Sequence, residues 1–126
     1  MSGWAGPVRA GLHPATGGDG SDACSGDMLL QAVLACAGVT LRSVATALDV
    51  NIRGAELHAI ASFDARGTLG VSRESPVGIQ GLAITVRLDT DASEATLVKL
   101  GELTERYCVV GQSLAEIPRI VVTRAD

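Results

Sequence analysis

The chain has one long apolar stretch, from Met28 to Val39, in which Gln31 is the only residue with a polar side chain. A helix that is apolar on every face belongs in the middle of a domain. Ser25 is suited to cap the N-terminus of such a helix, and the carboxylate of Asp27 complements its positive end. The pattern predicts a central helix that begins near Asp27 and ends around residues 48–50.

Two later segments alternate between apolar and polar residues, which is the pattern of a half-buried strand. They are Ala55–Phe63, with Leu57, Ala59, Ala61 and Phe63 on one face, and Gly81–Asp89, with Leu82, Ile84, Val86 and Leu88 on one face. The sequence DARG follows the first segment and signals a turn, in which Asp64 and Gly67 have structural roles. The two strands are therefore predicted to form a hairpin, with a further short strand expected before Pro76.

A second helix is predicted after the hairpin. Asp91 and Glu94 have the spacing of a capping box. An apolar face with Leu97, Leu100, Thr104 and Cys108 follows. The chain is expected to bend at Gly111 and to close with a strand at Arg119–Arg124. Helix, hairpin, helix and strand in this order predict an α+β fold.

The first 26 residues are rich in glycine and other turn formers. They are predicted to form an irregular arm with a short strand around Val8–Leu12. Residues 27–126 are then predicted to form a single domain.

Composition and charge restrict the function. Hydrophobic residues make up 47% of the chain and charged residues only 19%, so we expect the protein to self-associate. The net charge is −4, the basic residues are scattered, and aromatic residues are few, which argues against nucleic acid or an anionic membrane as a partner. The apolar run is shorter than the roughly 20 residues that span a bilayer. No signal peptide is evident, and a cytoplasmic location is expected.

Cys24, Cys36 and Cys108 are too few and too widely spaced for a disulfide scaffold. His13 and His58 do not have zinc-ligand spacings, so neither a metal site nor a cofactor is expected. Cys36 and Cys108 have two interpretations. Each could be a small apolar residue of the core. Alternatively, if the two helices pack together, the sulfurs could meet and form a redox pair.

Several motifs resemble the OsmC/Ohr family of thiol-dependent peroxidases, in particular its OsmC-like branch. They are GDMLLQAVLACAGVTLRSVA, FDARGTLGV, PVG and LDTDASEATLVKLGELTERYCVVGQSL, in the family's order. The resemblance implies an OsmC-like intertwined homodimer, in which two long central helices pack against antiparallel sheet. It also implies that active sites form at the dimer interface.

By position, the resemblance makes Cys36 the cysteine that reduces an organic hydroperoxide and Cys108 the one that resolves it as a disulfide. A lipoyl-type dithiol would then reduce the disulfide. The family stabilises the thiolate with an arginine and a glutamate. Arg9 and Asp27 are the assignments here, although the N-terminus is short and Asp27 is displaced by one position. Arg42, Arg66 and Arg106 are further candidates for the cation.

A different function on the same fold is a non-catalytic dimer that binds a small hydrophobic ligand, in which the cysteines only fill space. The unmatched arginine and glutamate favour this alternative.

Overall fold

The computed structural model describes residues 6–126, so the first five residues of the predicted arm lie outside the described residues. The chain forms two compact units. The first contains the chain up to Leu29 together with Phe63–Gly78, and the second contains Leu30–Ser62 together with Ile79–Asp126. That residues 1–26 behave as an arm and 27–126 as one domain stays a prediction.

Short elements build the first unit. Strands β1 (Ala10–Gly11) and β2 (Ala23–Cys24) pair in parallel, and a single 3₁₀ turn covers Pro14–Thr16. β1 lies within the strand predicted at Val8–Leu12. The imidazole of His13 meets the ring of Phe63 edge-on, with 5.2 Å between the ring centroids.

The DARG sequence forms α2 (Ala65–Thr68), a single helical turn in the first unit. Asp64 caps this turn by accepting a hydrogen bond of 3.0 Å from the backbone N–H of Arg66. A Cβ at Gly67 would collide with the carbonyl of Pro76, so only glycine fits there. The structural roles predicted for Asp64 and Gly67 are confirmed.

The short strand expected before Pro76 does not form. Between Thr68 and Gln80 the chain has turns and bends and no strand. The backbone N–H groups of Val71 and Ser72 both donate to the carbonyl of Arg66, at 2.9 and 3.1 Å. The segment therefore folds back on the turn of α2.

Helix α1 (Ser25–Ala47) has 23 residues and passes from the first unit into the second. Ser25 is its first helical residue and not the predicted N-cap, because β2 ends directly before it at Cys24. The core residues of α1 lie at helical spacing: Val33, Ala37, Leu41, Val44 and Ala45. With 23 residues, α1 is longer than the apolar run, and by length and composition alone it could cross a membrane. The central helices of globular domains meet the same criterion.

Three strands form the sheet of the second unit: β3 (Gly54–Ser62), β4 (Gln80–Asp89) and β5 (Arg119–Arg124). β3 and β4 are antiparallel, as predicted for the hairpin, whereas β5 lies parallel to β4. A parallel neighbour requires a long connection, which the segment between β4 and β5 supplies. The predicted alternation is confirmed, because Ile84, Val86 and Leu88 are buried and the residues between them are exposed.

Helix α3 (Glu94–Tyr107) packs against β5, and a single turn, α4 (Val109–Gln112), follows it. Leu97, Leu100 and Thr104 are fully buried, as the sequence predicted. The N-cap is Ser93, whose hydroxyl accepts from the N–H of Thr96 at 3.3 Å. The predicted cap, Asp91, instead accepts a hydrogen bond of 2.7 Å from the guanidinium of Arg53, so that assignment was wrong.

Candidate functional site

Cys36 and Cys108 lie in the second unit and belong to the same hydrophobic core. Cys36 is half-buried in the middle of α1, whereas Cys108 is 1% exposed and occupies the single position between α3 and α4. Each thiol shifts the pKa of the other, so the two side chains lie close together. The two sulfurs are therefore neighbours in the core. The sequence alone had allowed either two separate core residues or a redox pair.

Local backbone geometry fixes the position of Cys108. Its N–H donates to the carbonyl of Thr104 at 2.9 Å and so ends α3, while its own carbonyl accepts from Gln112 at 2.9 Å. Its Sγ accepts from the N–H of Gly111 at 3.4 Å and so caps α4. The sulfur is thus held by the turn that its own residue begins.

The pKa of the Cys108 thiol is raised, first because burial disfavours the charged form. The interaction with Cys36 raises this pKa further, and the N–H of Gly111 opposes the shift without cancelling it. Cys108 is therefore the member of the pair that keeps its proton.

The pKa of Cys36 moves the other way. Burial is the largest single effect and raises the pKa, but hydrogen bonds together outweigh it and the net shift is downward. The donors are the backbone N–H groups of Val110 and Val109, the thiol of Cys108 and the hydroxyl of Thr40. Cys36 is therefore the member of the pair that ionises first.

The cation that the family resemblance led us to expect has no counterpart in the second unit. None of the main effects on the pKa of Cys36 comes from an arginine, lysine or histidine of residues 30–62 and 79–126. Arg42 is exposed, and the guanidinium of Arg106 lies over the ring of Tyr107, 5.6 Å from its centroid. Neutral hydrogen-bond donors take the place of a positive charge in this unit.

The other candidate groups belong to the first unit. Arg9 is an exposed side chain that pairs with Asp22 at 3.1 Å, and Asp27 lies in the first turn of α1. Arg66 forms an ion pair with Asp64 at 2.7 Å, and this partner lowers the pKa of Asp64 to about 2. A role for Arg9 or Asp27 in stabilising the thiolate stays a prediction.

A groove of about 400 Å³ opens between the second half of α1 and the end of α3. It is lined by Val39, Thr40, Ser43, Val44, Ala47 and Tyr107. Two of its lining residues are close to the cysteines along the chain: Thr40 is one helical turn after Cys36, and Tyr107 directly precedes Cys108. The lining is mainly apolar, which suits an apolar substrate better than a strongly hydrated one.

Metal binding has no support among residues 6–126, where no three His, Cys, Asp or Glu side chains are grouped to hold an ion. All three cysteines are free. Cys24 lies in β2, in the first unit. The site is thus a pair of thiols, one prone to ionise and one held protonated.

The residues that favour the thiolate of Cys36 were not predicted from the sequence. The position of a backbone N–H group cannot be predicted from the residue type, so nothing in the sequence indicated the role of Val109 and Val110. Thr40 did leave a signal, because a hydroxyl four residues after a cysteine on a helix lies on the same face.

A family model described as OsmC-like protein matches residues 18–123. No curated protein sequence matches significantly. Among solved structures, the OsmC-like protein of Mycoplasma pneumoniae is 17% identical with a TM-score of 0.66, and the match covers 83% of this chain and 72% of that one.

Two other similar structures carry names that refer to hydroperoxide resistance. The organic hydroperoxide resistance protein OsmC of Legionella pneumophila is 12% identical with a TM-score of 0.64, covering 91% of this chain and 78% of that one. The organic hydroperoxide resistance protein OhrB of Bacillus subtilis is 13% identical with a TM-score of 0.58, covering 83% and 72%. At these identities the likeness establishes the fold, which is the predicted OsmC-like α+β fold. Because the family model covers most of its length, this chain belongs to the OsmC-like protein family.

Proposed function

We propose that the protein is a thiol-dependent peroxidase that reduces organic hydroperoxides through a Cys36–Cys108 disulfide. The observation that carries the proposal is the proximity of the two thiols, each of which affects the pKa of the other, and whose pKa values shift in opposite directions. Names of structurally similar proteins that refer to organic hydroperoxide resistance support the same class of substrate.

The reaction uses the two thiols in sequence. The thiolate of Cys36 attacks the terminal oxygen of the hydroperoxide, the O–O bond breaks, and Cys36 becomes a sulfenic acid while the alkoxide takes up a proton and leaves as the alcohol. The thiol of Cys108 then attacks the sulfenic sulfur, an S–S bond forms, and water leaves. A lipoyl-type dithiol reduces the disulfide and is itself oxidised to a disulfide, which restores both cysteines.

The opposed pKa shifts fit these roles. A nucleophile must be ionised, and Cys36 is the thiol whose pKa is lowered. A resolving thiol that stays protonated beside it does not compete for the peroxide, and the pKa of Cys108 is raised. The predicted order, Cys36 first and Cys108 second, is therefore the one that the electrostatics favour.

A homodimer is part of the proposal. Around the thiol pair a single chain exposes large apolar side chains, with Val39 67%, Tyr107 58% and Val109 72% exposed. Exposed apolar surface of this kind is typical of an interface between protein subunits. A second copy that covers it would exclude water from the site, and light scattering on the purified protein would measure the dimer directly. The Cys36–Cys108 disulfide must be reduced after each turnover, and the cytoplasm, which contains dithiol reductants, is the location that fits this requirement.

The proposal is tested by peroxide consumption. With dihydrolipoamide as reductant, the wild-type protein is expected to consume tert-butyl hydroperoxide, and Cys36→Ser is expected to be inactive. Cys24→Ser is the matched control, because Cys24 lies in the first unit and should retain full activity. Equal rates for wild type and Cys36→Ser would refute a peroxidase based on Cys36.

A second candidate function is the binding of a small apolar ligand without chemistry. The groove beside Tyr107 favours it, as does the lack of a cation acting on Cys36 in the second unit. The probe for this alternative is the fluorescent apolar compound anilinonaphthalene sulfonate. If a Cys36→Ala, Cys108→Ala double variant keeps the affinity of the wild type and the wild type consumes no peroxide, ligand binding is the better account.

A further inference from the structure

At the end of α3 a side chain takes over a hydrogen bond of the helix backbone. The backbone of Cys108 is extended, with ψ 101°, so the helix stops there. In a continuing α-helix the carbonyl of Glu105 would accept from the N–H of residue 109. Here it accepts from the side-chain amide of Gln112, whose Nε2 lies 2.8 Å from the carbonyl oxygen. Gln112 therefore ties α4 to α3 across the residue that carries the second thiol.

This hydrogen bond acts on a short element, since α4 is a single turn of four residues. The first turn of a helix loses more conformational entropy than its hydrogen bond offsets, so contacts with the rest of the fold must stabilise it. Gly111 is buried, and a Cβ at this position would lie 3.5 Å from the ring of Pro118. Packing at Gly111 and the amide of Gln112 together hold the turn.

The position of this turn determines where the sulfur of Cys108 lies. The N–H of Gly111 donates to Sγ at 3.4 Å. A thiol sulfur is a weak acceptor, so this bond places the sulfur but does little to stabilise the turn. The fit is close, because a Cβ at Gly111 would lie 3.3 Å from Sγ and 3.6 Å from the Cβ of Cys108. A displacement of α4 would therefore displace the sulfur as well.

We propose that Gln112 is a positioning residue for disulfide formation, because its amide holds α4 against α3 and so keeps the sulfur of Cys108 where it can attack Cys36. This inference rests on the proposed peroxidase function. The two cysteines share one hydrophobic core, in which Cys108 is buried and against which Cys36 packs. Gln112 acts through the backbone around Cys108, so its loss should slow the attack of Cys108 in a protein that is still folded.

The test follows disulfide formation without peroxide, in a Cys24→Ser background that leaves two thiols. One equivalent of dithiobis(nitrobenzoate) is added to the reduced protein. The thiolate of Cys36 opens the S–S bond of the reagent, releases one thionitrobenzoate and becomes a mixed disulfide. Cys108 then loses its proton to solvent, attacks the sulfur of Cys36 and releases the second thionitrobenzoate. The first phase of release depends on reagent concentration and the second does not, so the second measures the attack of Cys108.

Gln112→Met keeps the length of the side chain and removes the donor, and it should slow the second phase about fivefold. Gln112→Lys keeps a donor that can reach the carbonyl at a helix end and should restore the rate. The control is Ser113→Ala, whose lost hydroxyl bonds to the carbonyl of Val109 within the turn and does not reach α3. The second phase alone is the criterion, because N–H groups of the same turn also affect Cys36.

A wild-type second phase in Gln112→Met, or an equal loss of rate in Gln112→Lys or Ser113→Ala, would overturn the role of Gln112. If Gln112→Met does not fold, as judged by its thermal transition, Gln112→Ala replaces it with the same expectation. The result is independent of turnover with peroxide. A slowed second phase in a protein that consumes no peroxide would retain Gln112 and refute the peroxidase, whereas an unchanged second phase in an active peroxidase would refute Gln112 alone.

Discussion

The thiol of Cys108 is a neighbour of the thiol of Cys36, and their interaction lowers the pKa of Cys36 while it raises that of Cys108. Two identical side chains thus acquire different chemistry from their surroundings. Burial raises the pKa of both thiols, but the hydrogen-bond donors at Cys36 outweigh it and the donors at Cys108 do not. A pair with this asymmetry has a built-in order of reaction.

The asymmetry predicts two separate titrations. Because its pKa is lowered, Cys36 should become reactive to iodoacetamide at a lower pH than Cys108, whose pKa is raised. The rate at each cysteine is measured against pH by peptide mass spectrometry. In concentrated guanidinium chloride, where the fold is lost, the two profiles should coincide. Profiles that already coincide in the folded protein would contradict the assignment of roles.

Cys108→Ser separates the two half-reactions. Without the resolving thiol, Cys36 should consume one equivalent of hydroperoxide and remain a sulfenic acid, which dimedone traps. Excess peroxide should then oxidise it further and end activity. Sustained turnover by Cys108→Ser at the wild-type rate would mean that Cys108 is not the resolving thiol.

The close approach of α3 to β5 predicts a steric effect at Gly101. A Cβ at this position would lie 2.8 Å from the carbonyl oxygen of Ile120, so Gly101→Ala should lower the free energy of unfolding by roughly 1–3 kcal/mol. Gly38→Ala in α1 is the matched control, since its Cβ would make an ordinary contact of 3.7 Å with Leu57. The control should be neutral or stabilising by up to about 1 kcal/mol. Urea denaturation measures both, and equal effects would refute the steric account.

The N-terminus of α3 supplies a comparison between two neighbouring residues. Ser93→Ala removes the cap and should cost about 1 kcal/mol of stability. Asp91→Ala removes only an exposed ion pair with Arg53 and should cost less. The melting temperatures of the two variants give the order. A larger loss of stability in Asp91→Ala would mean that Asp91 is the N-cap, as predicted from the sequence.

The strands and their faces could be predicted because their signal is local. In β4, Leu82, Ile84, Val86 and Leu88 alternate with polar or small residues, and this period already specifies which face is buried. The same holds for the inner face of α3. The cap of α3 was misassigned because DAS offers two residues with capping side chains, and only the backbone decides between them.

The site was less accessible to sequence reasoning. Spacing alone left Cys36 and Cys108 as either core or redox residues, and the family resemblance pointed to the pair. The N–H groups of Val109 and Val110 are available as donors because α4 begins directly after Cys108. The residue types in this segment do not predict where that helical turn begins. Their effect on Cys36 follows from tertiary packing and not from any motif.

The central claim is that Cys36 and Cys108 form a disulfide during peroxide reduction. The fully reduced protein is treated with one equivalent of an alkyl hydroperoxide, and its mass and peptides are analysed without added reductant. We predict the loss of two hydrogens and a cross-linked peptide pair that joins Cys36 to Cys108. An unchanged mass, or a disulfide that leaves either of these two cysteines free, would contradict the account.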